Sequence, residues 1–382
     1  MKLQRGLLNN IKIPFVTLEN EFLISFFWNC IILGSFLLPL GVNPSTPFFI
    51  LAMLAGVISL FTKKRNFNLS DLTFLSFPVL FVIMCISLNY SFNLDVGLKL
   101  LERFLPLFFL PIIFIFIKED KLVVKKIFHV LLAGIIISFL INVFYAFSSS
   151  LFYLNEVLVF DPSISGGHSF VESFSHGGSY FIGGEFSKLI HPSYIALYIL
   201  ITVIYFNRNK VTKAMIVVYS ILFLYLFLLA SRASFAVLLM LAVLNVFSSQ
   251  NKVARVKRVF IMVLIGAVFY GINPRVRILF DRISDFTKKE NYNYTTSEQS
   301  RMLTYLSCKR LIAKAPVFGY GVGDANEELL IDYIESDYLT NAKYEYNAHN
   351  QYLQTMLQVG VFGLVFLTIP FIVIIMRKKN VY

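Results

Sequence analysis

The chain has 382 residues, of which 57% are hydrophobic, 16% aromatic and only 15% charged, and it carries a formal charge of +12. That is too apolar for an ordinary water-soluble domain and has the balance of a polytopic membrane protein. The basic residues fall in clusters between apolar runs rather than along one face, so no nucleic acid is expected as a partner.

In chain order, the clusters are Lys2/Arg5/Lys12, Lys63-Lys64-Arg65, Lys118/Lys121/Lys125-Lys126, Arg208/Lys210/Lys213, Lys252/Arg255/Lys257-Arg258 and Arg377-Lys378-Lys379. They occupy alternate loops, as cytoplasmic segments do under the positive-inside rule. The first apolar run, about Phe22 to Leu40, is long for a signal-peptide core and lacks a small-x-small cleavage pattern, so it reads as a signal anchor. Apolar stretches begin near residues 22, 46, 72, 98, 127, 191, 214, 233, 259 and 352. With a hydrocarbon core of about 30 Å to cross, they predict an all-α polytopic protein of about ten transmembrane helices, N-in and C-in, in which the sixth and eighth spans are short. Of three cysteines, Cys30 and Cys85 lie in apolar spans and only Cys308 lies in an outer loop, which leaves no disulfide framework.

Two connections are too long to be turns, residues 148–190 and 273–347, and this topology puts both on the outer side, where function is expected. They divide the chain into an N-terminal bundle with its loop, 1–190, and a region 191–382 with the larger loop and the final span. The first loop is rich in Gly, Ser and His and reads as flexible or re-entrant. In the second, Thr295-Thr296-Ser297-Glu298 forms a capping box for a helix to about Lys314, with Met302, Leu303, Leu306 and Leu311 on its apolar side. Pro316 ends it, and Gly319, Gly321 and Gly323 make a flexible turn.

Ionisable groups in or beside a span are costly and therefore functional candidates. Arg103, Arg232 and Arg301 are placed on the outer side, and a guanidinium suits phosphate because its planar fork donates two parallel hydrogen bonds and stays charged. Snorkelling to headgroups for the first two, and plain surface charge for Arg301, are the competing readings. His349 sits at the outer mouth of the last span, where an imidazole can take a proton near neutral pH, although a lone interfacial histidine is more often a structural hydrogen-bonder. Gly360 and Gly363 fall on one helical face and would let a neighbouring helix approach closely. His191 heads another span with Tyr194 one turn below; it is a further site candidate, with helix capping as the alternative. His168, His176, Glu185 and His191 match no compact zinc spacing, so no metal and no cofactor is expected. Glu335-x-Asp337 is the nearest thing to an acidic cation motif, and Asp324, Glu327, Glu328 and Asp332 read as a solvated face.

Taken in order, these pieces resemble the O-antigen ligase and polymerase superfamily. His349-Asn350, nine residues, then Gly360-Val361-Phe362-Gly363 is similar to its His-Asn-x9-Gly-x-x-Gly signature. Ser231-Arg232 at the outer end of a span, Arg301 opening the loop helix, and Ala315-Pro316-Val317-Phe318-Gly319-Tyr320-Gly321-Val322-Gly323 resemble the upstream motifs. The resemblance covers about residues 186–371; the sequence departs from it in having fewer than about twelve spans and Leu364 where the ligases often carry Thr.

The resemblance implies a metal-independent, inverting glycosyltransferase of the cytoplasmic (inner) membrane with its site facing the periplasm or exterior. It would move a glycan from a polyprenyl (undecaprenyl) diphosphate carrier to a lipid, glycan or protein acceptor, among membrane lipids. Arg232 and Arg301 would stabilise the diphosphate leaving group, and His349, aimed by Asn350 or a nearby acid, would deprotonate the acceptor. Arg103, His191, Tyr194 and Asn350 would help bind substrate, and the five motif glycines would be structural. Polymerisation of lipid-linked repeat units needs the same machinery. A transporter of lipid-linked sugars and an assembly scaffold are the other readings; a transporter would show broken helices in matching halves, which this sequence lacks. The catalytic reading requires Arg232, Arg301 and His349 to converge on one outward-facing cavity.

Overall fold

The computed structural model describes residues 21–62, 73–117, 121–166, 168–175, 178–207, 212–231 and 297–378, with scattered helical positions between 237 and 267. Its helices are α1 (Phe22–Leu37), α2 (Val42–Thr62), α3 (Ser76–Ser87), α4 (Leu94–Phe116), α5 (Lys121–Ser150), the short α6 (Phe170–Ser175) and α7 (Gly183–Phe186), α8 (Pro192–Phe206), α9 (Lys213–Leu229), α10 (Ser297–Lys314), α11 (Ala325–Glu335), α12 (Leu339–Lys343) and α13 (Gln351–Lys378). Among the described residues five helical segments are long and apolar enough to cross a membrane, Phe22–Leu40, Val42–Thr62, Thr73–Tyr90, Lys121–Ser150 and Gln351–Met376. Pro192–Phe206 and Lys213–Leu229 are shorter apolar helices. The spans expected near 233 and 259 lie largely outside the described residues.

The chain forms two compact units, Met1–Ala52 with Asp120–Lys289, and Met53–Glu119 with Glu290–Tyr382. Each draws on both sides of residue 190.

In the first unit, α5, α8 and α9 pack around Ile135, Phe186, Ile195, Ile199, Tyr225 and Leu229. Tyr225 is buried in apolar surroundings, and two polar residues of α5 satisfy its hydroxyl: Ser138 at 2.9 Å and the Asn142 amide, which donates at 2.8 Å. The Asn142 carbonyl oxygen accepts from the backbone N–H of Lys188 at 3.2 Å, tying the loop before α8 to α5. Ser138, Asn142 and Tyr225 thus answer one another's polar groups inside the apolar layer, as burial requires. The loop after α5 opens with a β-hairpin, β1 (Leu151–Leu154) paired antiparallel with β2 (Val157–Phe160). Asn155 and Glu156 both take positive φ, 48° and 66°, the two-residue turn geometry that matches strand twist. So the start of this loop is ordered.

In the second unit, α3, α4 and α13 pack through Leu80, Phe81, Met84, Leu101 and Val359, and α10, α11 and α12 form a small cap around Cys308, Leu311, Leu329 and Tyr333. The loop helix ends at Lys314 as the sequence predicts, but its inward face is different. Met302 and Leu306 are 39% and 40% exposed, while Ser300, Thr304, Ser307 and Cys308 are buried with Leu311. The buried face is polar because its groups are answered from the cap. The Thr304 hydroxyl accepts from the Tyr333 hydroxyl (3.1 Å) and the Asn341 amide (3.0 Å), and donates to the Ser300 carbonyl. Burial pushes the Cys308 thiol up to about 12, so it is an inert packing group.

Candidate functional site

The site candidates of the second unit lie around the head and the middle of α13, and the two glycine motifs build the middle. The helix breaks at Val359 (φ −138°, ψ 15°) and Gly360 (φ 64°, ψ −157°). A break leaves carbonyls of the preceding turn without helical donors, which inside a membrane is expensive unless other groups supply them. The Pro316–Gly323 turn does so. Tyr320 N–H donates to the Leu357 carbonyl (2.7 Å), Gly321 N–H to that of Gln358 (2.9 Å), and Val361 N–H donates in return to Pro316 (3.0 Å). Two backbones can cross this closely only without side chains between them. A Cβ on Gly319 would strike the backbone at Leu357–Val359, and one on Gly360 would overlap the Val317 carbonyl. Gly360 is therefore a close-approach glycine, but its neighbour is loop backbone and not the helix expected from a Gly-x-x-Gly face. Gly363 faces Val359 and Thr355 of its own helix.

The same turn is fastened to the α3–α4 corner. Val322 N–H donates to the Ser87 hydroxyl (3.1 Å), Gly323 N–H to that of Ser91 (3.3 Å), and the Tyr90 hydroxyl to the Phe318 carbonyl (2.8 Å). Asp324 accepts from the N–H groups of Phe92 (2.7 Å) and Asn93 (2.8 Å). Side chains on Gly321 or Gly323 would collide with Ser91 and Asn93. Asp324 is thus a buried clamp and not part of a solvated acidic face. Asp332 is buried too: its carboxylate takes Arg310 in a two-point pair at 2.6 and 3.2 Å, and Arg310 also bonds Ser336 and Ser307 and stacks over Tyr338.

At the head of α13, Asn350 accepts from the N–H groups of Tyr352 (2.9 Å) and Leu353 (3.4 Å), which is helix N-capping. Its oxygen is occupied by the helix and does not aim the imidazole. His349, exposed at the tip, takes φ 48°. That left-handed conformation is held from both sides. Asn347 accepts the His349 N–H (3.0 Å), and Gln354 accepts the N–H of buried Ala348 (3.1 Å) while donating to Asn326 on α11 (2.9 Å). The His349 ring lies 5.2 Å from that of Tyr346. Partial burial first, and then the positive charge of Arg301, keep its basicity below the usual value of 6.5. Arg301 is exposed on α10 and makes no hydrogen bond or ion pair among the described residues. The structure therefore brings Arg301 into electrostatic reach of His349.

The other candidates are distributed differently. Arg103 is exposed on α4 and likewise makes no ion pair among the described residues. His191 belongs to the first unit, where its Nδ1 accepts the Ser193 N–H (3.3 Å) as the cap of α8, with the Tyr194 ring 6.1 Å away. Arg232 lies outside the described residues. Sequence reasoning missed Asn347, Gln354, Asn326 and the Arg310–Asp332 pair. A usable signal for Gln354 was the polar run Gln351, Gln354, Thr355 and Gln358 within an apolar span.

No curated protein matches the chain. Residues 215–368 match the O-antigen ligase family model, a stretch that takes in Arg232, Arg301, the Pro316–Gly323 turn, His349-Asn350 and both later glycines. Over residues 215–368 this chain carries an O-antigen ligase family region.

Proposed function

We propose that the protein transfers a glycan from a polyprenyl diphosphate carrier to an acceptor hydroxyl on the outer side of the cytoplasmic membrane, as an O-antigen ligase or, on the same machinery, a repeat-unit polymerase. The observation that carries this reading is the juxtaposition in one unit of an exposed guanidinium that bonds to none of the described residues and an imidazole whose basicity burial and that guanidinium hold below the usual 6.5. A base must be unprotonated to act, and the charge that keeps it so is also the charge a diphosphate seeks. In the reaction, His349 takes the acceptor's proton as its oxygen attacks C1. The bond from C1 to the diphosphate oxygen breaks, its electron pair leaves with the diphosphate, and the single displacement inverts C1. Arg301, with Arg232 as its expected partner, stabilises the charge growing on the leaving group, so no metal is required. A general base contributes about a hundredfold to ten-thousandfold, and loss of one charge-stabilising donor costs about 3 kcal/mol.

The test is the size and anchor of envelope glycans in a deletion strain complemented with native or His349→Ala protein. Long polymers stranded on the polyprenyl carrier identify a ligase, and single repeat units on the final anchor identify a polymerase. Full restoration by His349→Ala would overturn the proposal.

A further inference from the structure

The first unit holds a cavity of about 300 Å³ lined by Lys125, His129 and Leu132 of α5, Phe206 of α8, and Met215, Val218, Tyr219 and Leu222 of α9. That volume is at the lower end of ligand pockets, which run from about 300 to 1,000 Å³. On α5 the lining follows spacings of four and three, and on α9 spacings of three, one and three, so each helix presents one continuous face to the space. The walls are apolar, and Lys125, His129 and Tyr219 are the lining residues that carry polar groups beyond them. Lys125 and His129 are exposed at the rim. His129 donates from Nδ1 to the Lys125 carbonyl at 2.7 Å, which leaves Nε2 turned away from the helix backbone and available to a ligand. The Tyr219 hydroxyl is buried and has no hydrogen-bond partner among the described residues.

We infer that this cavity is a binding site for one anionic glycerophospholipid of the surrounding membrane. The hydrocarbon walls take an acyl chain. The cationic rim takes the phosphate, with the Lys125 ammonium as a point charge and His129 beside it donating from Nε2 whenever that nitrogen carries a proton. Tyr219 supplies the donor that an ester carbonyl at the glycerol level accepts, which removes the penalty of an unsatisfied buried hydroxyl. A zwitterionic lipid offers the same chain but places a cation beside Lys125, so the site discriminates by headgroup. It is separate in residues from the His349 and Arg301 pair and does not depend on the transferase reading.

The test is native mass spectrometry of the full chain in detergent, with phosphatidylglycerol, phosphatidylcholine and undecaprenyl phosphate titrated separately. Phosphatidylglycerol should be retained at lower concentration than phosphatidylcholine. A lysine near a headgroup is worth about fivefold in affinity, so Lys125→Gln with His129→Gln should weaken retention by at least about fivefold. Tyr219→Phe, which keeps the packing volume, should weaken it by about fivefold. His349→Ala should leave it unchanged. Equal retention of the two phospholipids, native retention by the Lys125/His129 variant, or displacement of phosphatidylglycerol by equimolar undecaprenyl phosphate would each overturn the proposal. Size-exclusion profiles identical to the native protein's qualify a variant, and Tyr219→Phe remains decisive should the double variant fail to fold.

Discussion

Replacing Gly360 by alanine tests whether the crossing of α13 and the Pro316–Gly323 turn holds the second unit together. At φ 64° and ψ −157° the backbone lies in a region essentially confined to glycine, and a side chain there costs about 1–3 kcal/mol. The added Cβ also overlaps the Val317 carbonyl, so the turn must withdraw. Withdrawal breaks the bonds from Tyr320, Gly321 and Val361, each worth about 1 kcal/mol net. Together these give a destabilisation of about 4–6 kcal/mol, a large share of the usual 5–15. Gly184→Ala is the control, since a Cβ there meets nothing within 4 Å; it should be neutral or slightly stabilising. The assay is reversible unfolding in mixed micelles, paired with hydrogen exchange of residues 316–324. Gly360→Ala as stable as Gly184→Ala, with unchanged protection of that turn, would refute the reasoning.

Arg310→Met should destabilise the cap by about 2–3 kcal/mol, because it leaves the Asp332 carboxylate, 7% exposed, without its cation. The figure is kept below that of a fully buried pair because the Arg310 side chain is 40% exposed; chemical denaturation of the purified protein checks it. Gln354→Ala orphans the buried Ala348 N–H and loosens the His349 turn, so turnover should fall about tenfold with donor affinity unchanged, whereas Gln354→Glu, which keeps the acceptor, should retain most of it. The pH dependence follows from His349. Its folded-state basicity lies below 6.5, so turnover should climb with pH through a midpoint under 6.5 and be level by pH 7. Arg301→Gln removes one of the two causes and should move that midpoint upward; a midpoint unmoved in donor-saturated assays would contradict the coupling. Stability carries the same sign: the depressed group contributes above pH 6.5, and its contribution is lost as pH falls through the folded value.

Apolar runs and boundaries were legible because span length is set by the hydrocarbon thickness, which a linear sequence displays directly. The loop helix to Lys314 was legible from its following proline. The break at Gly360 was not. A glycine in an apolar run reads as packing, and only the carbonyls it frees, met by donors about forty residues upstream, reveal a turn. The hairpin Leu151–Phe160 escaped for a local reason: two apolar runs flank Asn-Glu, and glutamate at positive φ is not an expected turn residue. The inward face of α10 escaped because Thr304, Ser307 and Cys308 are buried by virtue of partners on α11 and α12, which no periodicity on α10 announces. At the candidate site, Arg301 and His349 stand out in the sequence by type and position, and the fold sets them within electrostatic reach of each other, while Asn347 and Gln354, which hold the His349 turn, are ordinary amides whose contacts depend on the fold.

The proposed transfer rests on His349 as the base and on Arg301 as the charge that serves it and the leaving group. The most direct measurement is glycan transfer from a polyprenyl diphosphate donor by purified protein in proteoliposomes, comparing native protein with His349→Ala and Arg301→Gln and measuring donor retention alongside. His349→Ala should lose at least about a hundredfold in turnover while retaining donor, and Arg301→Gln should lose a comparable factor. Turnover by His349→Ala within about threefold of native, at equal donor occupancy, would contradict it, since that is far less than a general base contributes.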